Sequence, residues 1–229
     1  MKKITVIGSI CLVFLFSSDR AWGKNSCISC HQEQTQSKRL EHNYADWKKS
    51  IHASKGIGCD ACHGGHSDTF NPVNAHEGVL SSRDKNSPIY FQNIPKTCGQ
   101  CHVEELKEFQ KSVHYKLLED SGKGPNCLTC HGSMATTILA HSQLDQTCSL
   151  CHGKPIQAAK ALSLIQSIKN SLDVLQKKKG QYENKEKITE FWARYREIQK
   201  KWHSFDIAAL TNKSKELLKE IKEFEKKCK

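Results

Sequence analysis

The last third of the chain carries a regular pattern of apolar and polar positions. Apolar side chains recur there at alternating steps of three and four residues, a spacing that keeps them on one face of a helix. There are three such stripes: Ala158, Ala161, Ile165, Ile168, Leu172 and Leu175; Ile188, Phe191, Tyr195, Ile198 and Trp202; and Ile207, Leu210, Ser214, Leu217, Ile221, Phe224 and Cys228. Three amphipathic helices predict a C-terminal α-helical bundle or hairpin over residues 154–229.

The first 23 residues follow a different pattern. Lys2 and Lys3 precede an apolar run over residues 4–16, and a short polar and small-residue segment follows up to Gly23. This order is typical of a secretory signal peptide that is cleaved near Gly23, and the apolar run is short for a membrane span. We predict a periplasmic or secreted protein, with an uncleaved N-terminal anchor as the alternative.

The middle of the chain, residues 24–153, is marked by a cysteine motif. The sequence Cys-x-x-Cys-His occurs five times, and we number the copies from the N-terminus. They are motif 1 with Cys27, Cys30 and His31, motif 2 with Cys59, Cys62 and His63, motif 3 with Cys98, Cys101 and His102, motif 4 with Cys127, Cys130 and His131, and motif 5 with Cys148, Cys151 and His152. This pattern attaches c-type haem: both sulfurs form thioethers with the porphyrin, and the histidine ligates the iron.

Zinc sites and disulfides also use cysteine pairs, but neither explains this pattern. A structural zinc ion takes four ligands, so Cys-x-x-Cys pairs should occur in even number, whereas here there are five. Disulfides do not require a histidine after the second cysteine. The sequence therefore predicts five covalently bound haem c groups, each with its iron ligated by the histidine of one motif.

The space available for these haems bears on the fold class. Residues 24–153 are too few to surround five porphyrins with regular secondary structure, so the porphyrins themselves must form most of the core. We expect a mainly α protein with much coil, in which short helices, for instance one over residues 103–118, are joined by loops. The predicted domains are a signal peptide at 1–23, a pentahaem cytochrome c domain at 24–153 and a basic helical region at 154–229.

The charge of the chain is unevenly distributed. The formal net charge is +11, but residues 24–153 carry 13 cationic and 13 anionic side chains, whereas residues 154–229 carry 19 and 10. Because each haem adds two propionates, the middle part becomes acidic and only the tail is basic. This distribution argues against nucleic-acid binding. It predicts that the tail folds against the propionates, or that it contacts a membrane surface, a partner or another copy of the chain.

An internal repeat organises the middle part. Its order is a motif, aromatic-x-x-Ser-x-His, a motif followed by Gly, a single His, and Thr before the next motif, with motif 3 shared between the copies. The first copy contains Trp47, Ser50, His52, Gly64, His76 and Thr97, and the second contains Phe109, Ser112, His114, Gly132, His141 and Thr147. The spacings differ, so the similarity lies in the order of the residues. The repeat indicates duplication of a haem-packing unit.

Seven histidines lie outside the motifs, and five would give every iron a second imidazole. We predict His52, His76, His114 and His141 as distal ligands because they occupy equivalent positions in the two repeats. The fifth is His42 or His203. The remaining histidine, His66, lies in a glycine turn beside its own motif and is less suited to this role.

These segments also resemble a known family. Residues 42–52 read HNYADWKKSIH, residues 58–65 read GCDACHGG, and TCGQCH at 97–102 leads to the Ser-x-His of residues 112–114. On these residues, the chain resembles the multihaem c-type cytochromes related to hydroxylamine oxidoreductase and pentahaem nitrite reductase. The resemblance covers roughly residues 26–153 and implies that the two Ser-x-His histidines are distal ligands. Two departures matter: the chain lacks the Lys-ending motif of the nitrite reductase catalytic haem, and hydroxylamine oxidoreductase is larger and carries more haems.

The predicted ligands bear on function. An iron with two imidazoles has no free position for a substrate and suits electron transfer. We therefore predict an electron carrier rather than an enzyme, acting between redox partner proteins such as a membrane quinol dehydrogenase and a terminal reductase. One alternative is a small multihaem oxidoreductase acting on a nitrogen or sulfur oxyanion at one open haem. A second is a structural subunit of a haem wire, with the basic helices as its assembly surface.

Overall fold

The structure, a computed structural model, describes residues 25–32, 44–134, 146–182 and 184–227. Within these residues the chain is mainly helical and has no strand, which confirms the predicted mainly α class. The helices of the middle part are short: α1 (Ser26–His31), α2 (Tyr44–Lys49), α3 (Ile51–Ser54), α4 (Asp60–His63), α5 (Pro72–Ala75), α6 (Ile94–Gly99), α7 (Val103–Phe109), α8 (Val113–Ser121), α9 (Cys127–His131) and α10 (146–149). Three longer helices follow: α11 (Ile156–Lys177), α12 (Lys185–Lys201) and α13 (Ile207–Lys227).

The single helix predicted over residues 103–118 is wrong, because the structure has two helices there. α7 ends at Phe109 and α8 begins at Val113. Ser112 separates them: its backbone is extended, and its hydroxyl accepts a hydrogen bond from the Tyr115 N–H at 3.0 Å. This is the role of a helix N-cap. The apolar pattern alone does not reveal a cap inside a continuous run.

The three long helices pack against one another around one hydrophobic core. The core side chains come from the apolar stripes of all three helices. They are Ile165, Ile168, Leu172, Leu175, Ile188, Phe191, Tyr195, Ile198, Leu210, Leu217 and Ile221. At the surface, Arg194 on α12 donates two hydrogen bonds to the Glu220 carboxylate on α13, at 2.6 and 2.7 Å. Apolar burial holds these helices together, and the bidentate pair fixes α12 against α13.

The C-terminal helices also contact the middle part of the chain. α12 and the 3₁₀-helix η2 (Trp202–Ser204), which follows it, both pack against α7. Phe205 then lies against a small cluster formed by Phe109, Tyr115 and Leu118. The tail is therefore joined to the motif-bearing part through side chains near the turn between α12 and α13.

The predicted signal peptide and the predicted domain boundaries are not tested by the structure. The signal peptide at 1–23 lies outside the described residues. The domain boundaries at 24–153 and 154–229 stay a prediction. Across the described ranges, none of the helices is both long enough and apolar enough to cross a membrane.

Candidate functional site

Each Cys-x-x-Cys-His motif forms one helical turn. In motifs 2, 3 and 5 the backbone N–H of the histidine donates to the carbonyl of the first cysteine at 2.9 Å. Motifs 1 and 4 lie within α1 and α9. Because residues three and four positions apart share a helix face, this turn places both sulfurs and the imidazole on the same side. That is the arrangement a covalently attached porphyrin requires.

Side-chain caps set the start of the turns in motifs 1 and 4. The Asn25 carboxamide accepts a hydrogen bond from the Ile28 N–H at 3.3 Å. Asn126 accepts one from the Thr129 N–H at 3.1 Å, and the Thr129 hydroxyl accepts one from the Asn126 N–H. Both asparagines immediately precede the serine or cysteine that opens the helix, where capping residues are favoured. The caps fix the backbone at the point where the first sulfur must face the porphyrin edge.

The glycines after motifs 2 and 4 occupy equivalent conformations. Gly64 has φ 75° and Gly132 has φ 73°, and both are otherwise extended. Each N–H donates to the carbonyl of the second residue of its motif. A residue with a Cβ rarely adopts this region, so glycine ends the turn immediately after the ligating histidine. The likeness supports the duplication that the sequence predicts.

Four motif histidines face a histidine from outside the motifs. Two imidazoles that bind one metal ion through bonds of about 2 Å have their ring centroids about 6 Å apart, and each of these pairs has that separation. The pairs are His31 with His76 at 6.0 Å, His102 with His52 at 6.3 Å, His152 with His114 at 5.8 Å and His131 with His203 at 6.1 Å. The structure thus brings together eight of the ten predicted ligand positions, as four pairs.

Hydrogen bonds orient two of the distal rings. His76 Nδ1 lies 2.7 Å from the Pro72 carbonyl oxygen, and His203 Nδ1 lies 3.2 Å from the Lys200 carbonyl oxygen. A carbonyl can only accept, so each Nδ1 carries the proton and each Nε2 keeps a free lone pair. Metal-binding histidines are usually held in this way through their second nitrogen.

Two further distal rings are positioned by the Ser-x-His part of the repeat. The Ser50 hydroxyl accepts a hydrogen bond from the Ala53 N–H at 3.1 Å, as Ser112 accepts one from Tyr115. Both serines are buried, and each places its histidine at the second position of a new helix. The Ser-x-His order shared by the two repeat copies therefore corresponds to a helix N-cap followed by a histidine that faces a motif.

Burial favours the neutral form of the distal histidines that face motifs 4 and 5. Burial lowers the pKa of His114, and the nearby His152 lowers it further. The pKa of His203 is also lowered chiefly by burial, although the bond to the Lys200 carbonyl raises it in part. His114 Nε2 lies 3.5 Å from His152 Nε2, and its buried Nδ1 has no hydrogen-bond partner among the described residues. A neutral imidazole is the form that binds iron.

The thiols of motifs 1, 2 and 3 lie close enough to shift one another's pKa values. Burial raises the pKa of Cys59 to about 11, with Cys27 as the next cause. Burial also raises the pKa of Cys62, followed by the charges of Cys98 and Cys101. Motif 1 is thus a neighbour of motif 2, and motif 2 of motif 3. A backbone hydrogen bond of 2.8 Å from the Ser26 N–H to the Ser67 carbonyl also joins the segments around motifs 1 and 2.

Motifs 3, 4 and 5 continue the series. The Cys127 thiol donates a hydrogen bond to the Cys98 sulfur, which lowers the pKa of Cys98 and raises that of Cys127. Burial, and after it the nearby Cys148, raise the pKa of Cys130 to about 11. The helices that carry motifs 3 and 4, α6 and α9, are in contact. The five motifs therefore lie in space in the same order as in the sequence.

Apolar side chains beside the paired histidines are exposed. Ile51 and Val113, which precede His52 and His114, are 54% and 79% exposed, and Leu150 in motif 5 is 76% exposed. A porphyrin held between the paired histidines would cover such side chains. With the thiols and imidazoles, these side chains form sites whose donors and apolar walls fit haem c.

Three of the seven histidines outside the motifs are not placed in this way. His42 and His141 lie outside the described residues, so the distal ligand opposite His63 of motif 2 stays a prediction. His66 is exposed on the turn after motif 2. The sequence could not assign distal histidines to motifs, because His52 and His114 each precede one motif and face the motif after it. It also did not single out Phe205, whose ring lies 4.5 Å from that of His114.

Several motif turns of this kind with facing imidazoles define a multihaem c-type cytochrome, with haem covalently bound. The family model described as "Cytochrome c554 and c-prime" matches residues 17–64, which include motifs 1 and 2. The chain is a multihaem c-type cytochrome. The relation to hydroxylamine oxidoreductase and nitrite reductase stays a prediction from the motifs.

Curated relatives of the same class cover part of the chain. It is 29% identical over 132 residues to the C-type polyheme cytochrome OmcB of Geobacter sulfurreducens (strain ATCC 51573 / DSM 12127 / PCA), an alignment that covers 52% of this chain and 16% of the relative. It is 25% identical over 130 residues to OmcC of the same strain, covering 57% of this chain and 14% of the relative. The chain therefore spans only a small part of the relatives' length. No solved structure matches it significantly.

Proposed function

We propose that the chain is a pentahaem c-type cytochrome that carries electrons between redox partner proteins. The observation that carries this proposal is the set of four histidine pairs, each with one motif histidine and one histidine from elsewhere in the chain. When bound, haem iron supplies a reversible one-electron change between ferric and ferrous states. Each pair would supply two imidazoles to one iron and leave no position for a substrate, so the residues favour electron transfer over substrate binding.

The protein's own groups keep these positions fixed. Caps at Ser50 and Ser112, and carbonyls at Pro72 and Lys200, restrain distal rings whichever charge the iron carries. On the opposite side, the two cysteines of each motif would attach the haem next to the motif histidine. A rigid ligand set that changes little with oxidation state lowers the reorganisation needed for each electron transfer, which is the requirement for a carrier.

The fifth site is assigned by the same reasoning. Motif 2 has the spacing and the helical turn of the others, and its thiols lie beside those of motifs 1 and 3. Since His52, His76, His114 and His203 face other motifs, we assign the distal position of motif 2 to His42 or His141. Five bis-histidine irons then use ten of the twelve histidines of the chain.

The spatial order of the motifs suggests how electrons cross the molecule. Because each motif adjoins the next, the attachment sites form a continuous series from Cys27 to Cys148. Electrons would enter at one end of this series and leave at the other. The partners fall into two classes, a membrane quinol dehydrogenase that donates and a terminal reductase that accepts.

Location and the basic tail complete the proposal. We assign residues 1–23 to a signal peptide and the mature protein to the periplasm or the cell exterior, where thioether attachment of haem takes place. We assign the C-terminal helices to a bundle that covers the haem-bearing part, to which α12 and Phe205 already attach it. Its cationic surface suits propionates, or an anionic partner or membrane surface.

Two measurements on the purified holoprotein test the function. Haem content determined as the pyridine haemochrome should be five per chain, and intact mass should show five covalent additions to a chain that begins near Lys24. Electron paramagnetic resonance of the oxidised protein should show low-spin ferric iron alone. The pairs with interplanar angles of 75° and 80° should give the large-g type of low-spin signal, and the pair at 32° a more rhombic one.

A different result would separate the alternatives. A substantial high-spin signal that changes on adding nitrite or hydroxylamine would contradict the carrier and indicate an oxidoreductase with an open iron. Fewer than five haems in a protein with a complete set of motif cysteines would contradict the pentahaem assignment. A stable oligomer in light scattering at low concentration would favour the structural subunit.

A further inference from the structure

Phe205 has an unusual backbone conformation. Its φ is 56° and its ψ is 22°, and it is the one non-glycine residue with positive φ in the described part of the chain. Side chains with a Cβ disfavour this left-handed region, and bulky residues are rarely found there. Glycine or asparagine would adopt it more readily. A phenylalanine at this position therefore indicates that its ring has a use that outweighs the strain.

The ring contacts a ligand of motif 5. Its centroid lies 4.5 Å from that of His114, with the planes at 79°, an edge-to-face arrangement. It also packs against Phe109 at 6.4 Å and Trp202 at 6.3 Å. His114 faces His152, and its Nδ1 has no hydrogen-bond partner among the described residues. The Ser112 cap sets the backbone at His114, and aromatic packing is the contact that restrains the orientation of its ring.

The backbone of the same residue sets a ligand of motif 4. The Phe205 N–H donates to the Trp202 carbonyl at 3.0 Å and so closes η2, which contains His203. The Phe205 carbonyl then accepts a hydrogen bond from the Ile207 N–H at 2.9 Å, where α13 begins. The left-handed turn thus fixes the path of the chain two residues after His203, whose ring faces His131.

We propose that Phe205 is a positioning residue shared by two haem sites, whose left-handed backbone sets His203 opposite His131 and whose ring holds His114 opposite His152. This inference rests on the proposed bis-histidine ligation. It makes the turn between α12 and α13 a structural link between motifs 4 and 5, whose thiols Cys130 and Cys148 are also neighbours. The C-terminal helices would then fix the ligands at one end of the motif series.

The two roles can be separated by substitution. Phe205→Asn removes the ring but tolerates the left-handed backbone, whereas Phe205→Ile keeps apolar volume but disfavours that backbone because it is β-branched. Phe205→Tyr keeps the aromatic ring and its edge-to-face contact with His114. Phe224→Leu is the matched control, because Phe224 is a phenylalanine that packs in the tail core against Phe191, away from the paired histidines.

The readout is the set of low-spin g values of the oxidised holoprotein, together with the potential of each haem. The angle between two axial imidazole planes sets these g values, and it is 53° for His114 and His152 but 32° for His131 and His203. His114→Met and His203→Met assign the two signals. We expect Phe205→Asn to shift the His114 signal alone, Phe205→Ile to shift both, and Phe205→Tyr and Phe224→Leu to match the wild type.

Several results would overturn the proposal. One is that the g values and potentials stay at the wild-type values in both Phe205→Asn and Phe205→Ile. Another is that Phe205→Asn changes the His114 and the His203 signals together. A third is that Phe224→Leu changes these signals as the Phe205 variants do. If Phe205→Ile does not accumulate with haem, Phe205→Asn decides by itself, since a change confined to the His114 signal supports the inference and any other result rejects it. Failure of the proposed function is distinguishable, because it would appear as high-spin iron in the wild type.

Discussion

At the scale of single residues, His76 and His66 differ in what holds a ring nitrogen. His76 and His66 lie on the same stretch between motifs 2 and 3, and both are exposed. Only His76 has its Nδ1 held by a carbonyl, that of Pro72, and its ring near a motif histidine, His31. Sequence position could rank these two histidines, but the distances show which one faces a motif.

Replacing these two histidines by alanine gives a matched pair of variants. His76→Ala should leave the iron of motif 1 with a single imidazole, so one haem per chain should change from low-spin to high-spin and bind cyanide or carbon monoxide. His66→Ala should keep the wild-type spectrum. Electron paramagnetic resonance and optical titration measure both. A low-spin spectrum without change in His76→Ala would show that His76 is not a ligand.

At the scale of helices, the sequence predicts faces well and connections poorly. The apolar stripes of residues 158–224 coincide with the buried faces of α11, α12 and α13, because helix periodicity is a local property. The break between α7 and α8 depends on the single hydroxyl of Ser112 inside an amphipathic segment. Which distal histidine faces which motif depends on the path of coil between short helices, and no local pattern records that path.

The cap at Ser112 makes a measurable contribution to α8. Ser112→Ala removes the acceptor for the Tyr115 N–H and should destabilise α8 by about 1 kcal/mol. Hydrogen exchange measured by mass spectrometry should show faster exchange of the α8 amides. Ser121→Ala, at the exposed end of the same helix, should leave their exchange within error of the wild type. Equal exchange in the two variants would contradict the role of Ser112.

The ion pair between α12 and α13 predicts a pH dependence. The hydrogen bond from Arg194 holds the pKa of Glu220 in the folded protein below its usual range. The stabilisation by the ion pair is therefore complete above the pKa of Glu220 in the unfolded chain, and it is lost as the pH falls through the pKa in the folded protein. Both side chains are about one-third exposed (34%), which limits the contribution to about 0.5–1 kcal/mol. Glu220→Gln should therefore lower the urea midpoint near pH 7 and approach the wild type well below pH 4.

A neighbouring carboxylate provides the control for this ion pair. Glu223 lies 4.0 Å from Lys219, and its side chain is 55% exposed, so Glu223→Gln should shift the urea midpoint little at either pH. Far-UV circular dichroism follows the unfolding of the helices in both variants. A midpoint difference between Glu220→Gln and the wild type that persists unchanged at low pH would show that the ion pair is not its cause.

At the scale of the whole molecule, the two parts of the chain are stabilised differently. The buried hydrophobic side chains among the described residues before 135 are few: Trp47, Ala53, Ile94, Phe109, Tyr115 and Leu118. The C-terminal helices share one continuous core of eleven buried residues. Small apolar cores rarely stabilise a domain without a metal, a cofactor or a partner. The middle part therefore depends on its covalent haems, as the low ratio of residues to motifs predicts, whereas the tail has a core of its own.

This difference predicts the behaviour of the full chain made without haem attachment. Hydrogen exchange should be slow within α11, α12 and α13, because their core contains no haem-binding residue, and fast throughout residues 44–134, where the facing imidazoles and motif thiols lack the group that joins them. In the holoprotein both parts should exchange slowly. The comparison uses one chain in two states, so differences in sequence cannot contribute. Slow exchange of α6 to α9 in the haem-free chain would mean that packing of the polypeptide alone holds the motifs in their spatial order.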